Sequence, residues 1–447
     1  MTSSAARTVD DLTKVIDQTP IGPFQIRIVA LSFALIVIDG YCLLAPGFAA
    51  PSIARDWMIQ DEARLGLVLA ASLLGMIIGA PLFGFIGDRF GRRPAVLIAT
   101  AIFAGFTALS AFAGNPTELA ALRFIDGIGI GGVTSNIIAL VSEYMPRRMR
   151  TLAVIGTLAG TSVGGALPAL VRVFAPPDLV WQSIFLIGGI AGAIVFGMAL
   201  AGLPDSPASL WARGHHAKAL AILSKITSTP PAPLPAGIEN GRTGSGSSLS
   251  PGALFRDGLG LVTPLLWLMN FSNFLAIFFV VSWTPYVLEA ANVTHERAAL
   301  VNAVFSLAGI AGGLIVARII DRRGPLALAG MFAVGAPAVA AIGLVGAANF
   351  GLLLLAAGLA GAAVVGNQFA LGAISTKVYP SDRRSAGAGW ALSVGRIGSL
   401  SGPLLGGALV ASALPLPMLY GYAAAPLVAG ALASLTLFGL QRTTVAA

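Results

Sequence analysis

The chain has 447 residues, is 56% hydrophobic and only 10% charged, and carries a formal net charge of +8. A water-soluble domain averages about 45–50% apolar and about 25% charged residues, so this composition excludes an ordinary soluble protein and points to a lipid bilayer. The positive balance would suggest nucleic acid in a soluble chain. Here it fits basic residues gathered in cytoplasmic loops, and no nucleic-acid partner is expected.

The first 23 residues are polar and mixed in charge, do not read as a cleavable signal, and leave the first apolar stretch in the protein. A spanning helix needs about 20 apolar residues. Six stretches qualify in the first half, 27–49, 64–86, 94–113, 118–141, 151–174 and 182–203. Six more follow, 260–288, 298–318, 325–346, 350–376, 386–411 and 417–440. The expected architecture is an all-α membrane protein of twelve transmembrane helices in two six-helix bundles, 1–203 and 259–447. Residues 204–258 join them; this segment contains "STPPAPLPAGIENGRTGSGSSLSPG" and reads as a flexible cytoplasmic linker.

Placing the N-terminus in the cytoplasm puts about 21 of the 27 Lys and Arg on the cytoplasmic side. Arg55, Arg64, Arg172 and Arg297 fall outside, and Arg123 and Arg396 fall within spans. An even number of spans returns the C-terminus to the cytoplasm.

Between spans 2 and 3 lies "GFIGDRFGRRPAVL", Gly84 to Leu97, which packs Asp88, Arg89, Arg92 and Arg93 into six residues. The order recurs in the second half as "ARIIDRRGPLAL", which puts Asp321 in the equivalent place. "SEYMPRRMRTLA" after span 4 is matched by "KVYPSDRRSAGAG" after span 10. Two halves with matching loops mean internal duplication, a signature of secondary transporters whose substrate site lies near the midplane. No Gly-Lys-Ser/Thr phosphate loop occurs, and the three histidines, His215, His216 and His295, all lie in loops. Neither a cofactor, a metal site nor an enzyme active site is expected.

"GFIGDRFGRRP" resembles the loop signature of the major facilitator superfamily. "VIDGYCLLAPGFAAPSIARDW" in span 1, "RFIDGIGIGG" in span 4, "LPDSPASLWARG" after span 6 and "GRIGSLSGPLLGG" in span 11 are similar to its aromatic acid:proton symporter family. The resemblance runs from about Asp39 to Leu440. It implies the major facilitator fold, a bacterial inner membrane, and proton-coupled import of a small aromatic carboxylate by a monomer. Efflux by proton antiport, or symport of a non-aromatic acid, are the alternatives. A carrier-like receptor that binds without transporting also stays open. The family pattern in span 1 reads acidic-Gly-aromatic-Asp; this chain reads Asp39, Gly40, Tyr41, Cys42, without the second carboxylate.

A charged group at the bilayer centre costs about 2.5–3.5 kcal/mol on insertion scales, so intramembrane charges face the interior and serve a function by default. At about 1.5 Å per residue, Asp39, Asp126 and Arg396 fall roughly 18, 12 and 15 Å into their spans, all near the midplane. Asp39 is the expected proton carrier, or else the partner of a buried arginine. Asp126 either replaces the carboxylate absent at Cys42 or neutralises Arg123, three residues before it on the same helix face. Arg396 offers a planar fork that matches a carboxylate with two hydrogen bonds, and Arg123 shares that choice with a structural one. Tyr41, Phe271, Phe274, Trp283, Tyr286 and Trp390 are candidate walls for an aromatic ring. Asn270, Asn273, Asn367 and Gln368 could bond a ring hydroxyl or a neighbouring helix. The resemblance assigns Asp88 and Arg92 to a gate, with Glu143 as an acid in reach and Arg147 and Asp321 in the matching loops. Gly156, Gly160, Gly164 and Gly398, Gly402, Gly406 form small-residue faces expected at moving helices.

Overall fold

The computed structural model describes residues 15–59, 61–226, 254–256, 259–380 and 383–446. Among them are twelve helices long and apolar enough to cross a membrane. In chain order these are α1 (Pro23–Asp56), α2 (Glu62–Phe90), α3 (Arg92–Ser110), α4 (Pro116–Tyr144), α5 (Arg147–Phe174) and α6 (Pro177–Gly202). The second set is α7 (Val262–Ala290), α8 (His295–Arg323), α9 (Pro325–Val345), α10 (Phe350–Val378), α11 (Arg384–Ala411) and α12 (Leu416–Ala446). Helices alone suit these segments, because in lipid each backbone N–H and C=O must be satisfied within its own element.

Local sequence sets the ends. Asn115 and Asn349 accept hydrogen bonds from the N–H groups of Glu118 and Leu352, capping α4 and α10. Prolines occupy the first turns of α1, α4 and α9, where a missing N–H costs nothing. α5 is interrupted at Ala159, between Leu158 and Gly160, a break that its apolar pattern does not signal.

The expected twelve spans are present, and the duplication shows in the packing. α2 packs chiefly on α4 and α8 on α10; α1 packs on α5 and α7 on α11; α3 packs on α6 and α9 on α12. The small-residue faces serve this packing inside each half. Gly160 and Gly164 lie on the α1 backbone at Phe33 and Val37, whereas a side chain at Gly156 would meet nothing. Gly398, Gly402 and Gly406 lie against Phe271, Phe279 and Trp283 of α7. These faces are therefore close helix contacts within each bundle. The linker also departs from expectation at its start, where Pro207–Ala212 and His216–Ile226 are helical. Its Pro- and Gly/Ser-rich stretch, 227–253, lies outside the described residues.

The turn between α2 and α3 is a single residue. Gly91 adopts φ +109°, a conformation open to glycine and strained for any L side chain. A Cβ there would also meet the Arg213 and Asp205 side chains at 2.5 Å. Gly84, on the same helix, has free space around it. Gly91→Ala should destabilise the purified protein by about 1–3 kcal/mol, read as a lower unfolding temperature in detergent. Gly84→Ala should leave that temperature within error of the parent.

Candidate functional site

The two halves meet along a seam formed by α1 with α7, α2 with α11 and α5 with α8. At the face opposite the termini the seam is shut. Arg172, at the end of α5, pairs with Glu289 at the end of α7 and donates to the Phe48 carbonyl of α1. The Tyr286 hydroxyl lies 3.3 Å from Glu62 Oε1. Gly66 and Gly407 bring α2 and α11 into backbone contact beside Trp283, whose indole N–H donates to the Pro403 carbonyl at 3.0 Å. Trp283 and Tyr286 thus belong to this closure and not to the walls of a central site.

Midway along the seam stand Asp39 and Arg396. Asp39, near the middle of α1, is buried and accepts one hydrogen bond at Oδ2 from the Thr134 hydroxyl of α4, at 3.2 Å. Its Oδ1 has no partner among the described residues. Arg396, on α11 of the other half, donates from Nη1 to the Met76 carbonyl of α2 at 2.9 Å. This is its one hydrogen bond among the described residues, and the rest of its fork is uncommitted. The two charges act on one another without forming an ion pair. The small Gly395 beside Arg396 admits the Phe274 ring and the flank of Asn270 from α7. Phe274 and Asn270 thus pack on α11 at the residue that precedes Arg396.

The second pair of intramembrane charges is arranged differently. Arg123 and Asp126 are both fully buried and form an ion pair along one turn of α4. Arg123 Nη2 donates to the Cys42 carbonyl at 2.5 Å, and its guanidinium lies 5.2 Å from the Phe185 ring centroid. Thr107 donates to Asp126 Oδ2 at 3.0 Å. The hydrogen bonds and ion pair of Arg123 are thus all to groups of its own half, and its Nε has no partner among the described residues. Tyr41 is likewise committed. Its hydroxyl donates to the Ile184 carbonyl of α6 at 2.8 Å, and its ring fills the gap above Gly188.

Elsewhere on α7 and α10, Asn273 and Asn367 are buried against one another, Asn367 Nδ2 lying 3.4 Å from Asn273 Oδ1. Gln368 is half-buried on the same turn of α10. Trp390 lies near Trp267, with ring centroids 6.1 Å apart, and is 38% exposed.

At the termini-bearing face the charged turn forms a network that ties the first half to the segment that follows α6. Arg92 pairs with Asp88 at 2.7 Å, lies 3.8 Å from Glu143 and donates to Asn136 at 3.4 Å. Glu143 accepts from the Ser206 hydroxyl. Arg93 donates to the Leu203 and Leu200 carbonyls at 2.7 Å, and Arg213 pairs with Asp205. Arg147 lies 3.3 Å from Asp17 on the N-terminal segment, outside that network. The Asp321 side chain lies outside the described residues. Sequence reasoning misses Arg172, Glu289, Asp205 and Arg213. The last two stand in the quoted "LPDSPASLWARG", which carries the signal; a lone arginine in "LVRVF" is the only trace of the first.

The Major Facilitator Superfamily family model matches residues 29–347 and 266–446. The gallate transporter of Pseudomonas putida is 33% identical, over 95% of this chain and 94% of its own length. The 4-hydroxybenzoate transporter PcaK of Acinetobacter baylyi is 31% identical, over 95% and 93%. Among solved structures, the inward-open xylose transporter XylE from E. coli aligns with TM-score 0.69 at 20% identity, covering 92% of this chain and 95% of that one. A bacterial homologue of the lysosomal transporter Spinster, inward-facing and unoccupied, gives 0.68 at 16% identity over 95% and 98%. These two likenesses bear on the fold. The chain belongs to the Major Facilitator Superfamily, a superfamily of transporters, and groups by sequence with its aromatic-acid carriers.

Proposed function

We propose that the chain imports a small aromatic carboxylate together with a proton, in a bacterial inner membrane, as a monomer with both termini in the cytoplasm. The anion rests on Arg396 with its ring along Phe274 and Asn270, and the proton rides on Asp39. Relatives named for gallate and 4-hydroxybenzoate support the substrate class. The observation that carries the mechanism is the unequal treatment of the buried charges. Arg123–Asp126 and Arg172–Glu289 are neutralised in place. Asp39 and Arg396 stand on helices from different halves, each side chain with one hydrogen bond among the described residues and no ion-pair partner.

Coupling follows from charge. With the site empty, Asp39 and Arg396 sum to zero. With a proton on Asp39 and a carboxylate on Arg396 the sum is again zero. With one of the two alone, the seam carries a net charge at the bilayer centre, which costs several kcal/mol. Only the empty and doubly loaded forms cross readily between states, so proton and anion move together, one for one.

The test is uptake of labelled 4-hydroxybenzoate into proteoliposomes, with leak through empty liposomes subtracted. An inward proton gradient should drive accumulation, and an imposed membrane potential alone should not, because the loaded carrier is neutral. Asp39→Asn should lose gradient-driven accumulation; accumulation at the parent level by that variant would refute the proton assignment. Arg396→Lys keeps the charge but loses the planar fork, and should weaken substrate affinity by roughly ten- to a hundredfold. An unchanged affinity would remove Arg396 from the site.

Asp126 is assigned to the Arg123 brace. Asp126→Asn strands a buried guanidinium and should cost about 3–5 kcal/mol, seen as a large drop in unfolding temperature. The double replacement Arg123→Leu with Asp126→Leu removes both charges and should recover most of that loss. A stable Asp126→Asn protein with altered proton coupling would instead make Asp126 a carrier.

A further inference from the structure

Asn273 and Asn367 form an incompletely satisfied polar contact in the second half. Both are fully buried in apolar helices. Their one mutual hydrogen bond, at 3.4 Å, leaves Asn273 Nδ2 and Asn367 Oδ1 with no partner among the described residues. Turning both amides over gives the same result, one unused donor and one unused acceptor side by side. Buried polar atoms are almost always paired, so a donor and an acceptor left open together call for an explanation.

Their position supplies one. Asn273 lies about 16 Å along α7 from its termini-facing end, Asn367 about 16 Å from the corresponding end of α10, and Arg396 about 18 Å along α11. All three share one depth. Asn273 adjoins Phe274 in the chain, and Phe274 packs on Gly395 beside Arg396. α10 packs on both α7 and α11, so an aromatic acid held by Arg396 at this depth lies next to the helices that carry the amide pair. A phenolic hydroxyl is both a donor and an acceptor, the complement of what the amide pair leaves open. An unsubstituted or methylated ring offers neither function and would leave both amides unpaired.

We infer that the Asn273–Asn367 pair is the specificity element of the site, and that it selects aromatic acids bearing a ring hydroxyl. The inference rests on the aromatic-carboxylate reading above and adds to it the group that is read and the residues that read it. A site built to bond a hydroxyl discriminates against analogues without it, because its own polar groups are then stranded.

The experiment is competition by 4-hydroxybenzoate, 4-methylbenzoate and benzoate for uptake by the full-length protein in proteoliposomes. 4-Methylbenzoate matches the hydroxy acid in size and lacks the hydrogen bonds. The parent should prefer 4-hydroxybenzoate over 4-methylbenzoate on the order of tenfold or more. In Asn273→Leu and Asn367→Leu, which keep volume and remove the amide, that ratio should fall towards one. Equal affinities in the parent would overturn the inference, as would a preference that both variants retain, which is the behaviour of a purely structural brace. The parental ratio needs no variant, so the comparison decides even if a replacement fails to fold. Recognition of all three acids without discrimination sinks the amide assignment alone. Recognition of none sinks the aromatic-carboxylate reading with it.

Discussion

Everything in this molecule is arranged around the cost of a charge in hydrocarbon. A soluble protein can leave an arginine in water; a span of lipid offers no partner, and an unpaired ion there costs several kcal/mol. Each intramembrane charge must therefore be neutralised, hydrogen-bonded or aimed into a site. The structure uses all three options. Arg123 is neutralised by Asp126 and held by the Cys42 carbonyl and the Phe185 ring. Arg172 is neutralised across the seam by Glu289. Asp39 and Arg396 are left half-satisfied, on helices from different halves. A carrier needs that incompleteness, because a site whose polar groups are already saturated has nothing to gain from a ligand.

The same economy shapes the two faces. At the face opposite the termini, polar contacts cross between halves: Arg172 to Glu289, and Tyr286 to Glu62. At the termini-bearing face the network of Asp88, Arg92, Glu143, Asp205 and Arg213 ties the first half to the segment that follows α6. The described arrangement is thus latched between halves at the face opposite the termini. Reversing it means exchanging one set of cross-half bonds for another, and each set is made of groups that water can solvate once the latch opens. The buried Arg123–Asp126 pair has no such alternative, so it travels intact with its half.

Much of this is legible in the amino-acid sequence. Twelve apolar stretches, a repeated loop and six-plus-six symmetry require only hydropathy and order, and the packing of α2 on α4 and α8 on α10 follows the repeat. The Arg123–Asp126 pairing is legible in their i+3 spacing. Direction around the helix axis is the part that sequence does not carry. α1, α4 and α7 are apolar on all sides, so no polar stripe says which way Tyr41 or Trp283 faces. Tyr41 turns to α6 and Trp283 to α11 because glycines at 188 and 406 leave room for their rings. Arg123 presents the same ambiguity: its i+3 relation to Asp126 is visible in the sequence, but its bond to the Cys42 carbonyl is not. The hydroxyls of Thr134 and Thr107 leave no trace, since a threonine in a helix more often bonds its own backbone.

The departure at Cys42 can be understood in the same terms. The family pattern places a second carboxylate there, one turn from Asp39. In this chain the neighbourhood of Cys42 already holds one cation, Arg123, and one anion, Asp126, which cancel. A further carboxylate would leave the first half with two uncompensated negative charges facing Arg396, and crossing in neutral form would then demand a second proton. With a thiol in its place, Asp39 alone remains beside the cancelled pair, and in the proposed mechanism a single proton would discharge it. On this reading the substitution does not remove the coupling machinery. It reduces the count of titrating carboxylates at the seam to one, in balance with the guanidinium that Arg396 brings from the second half.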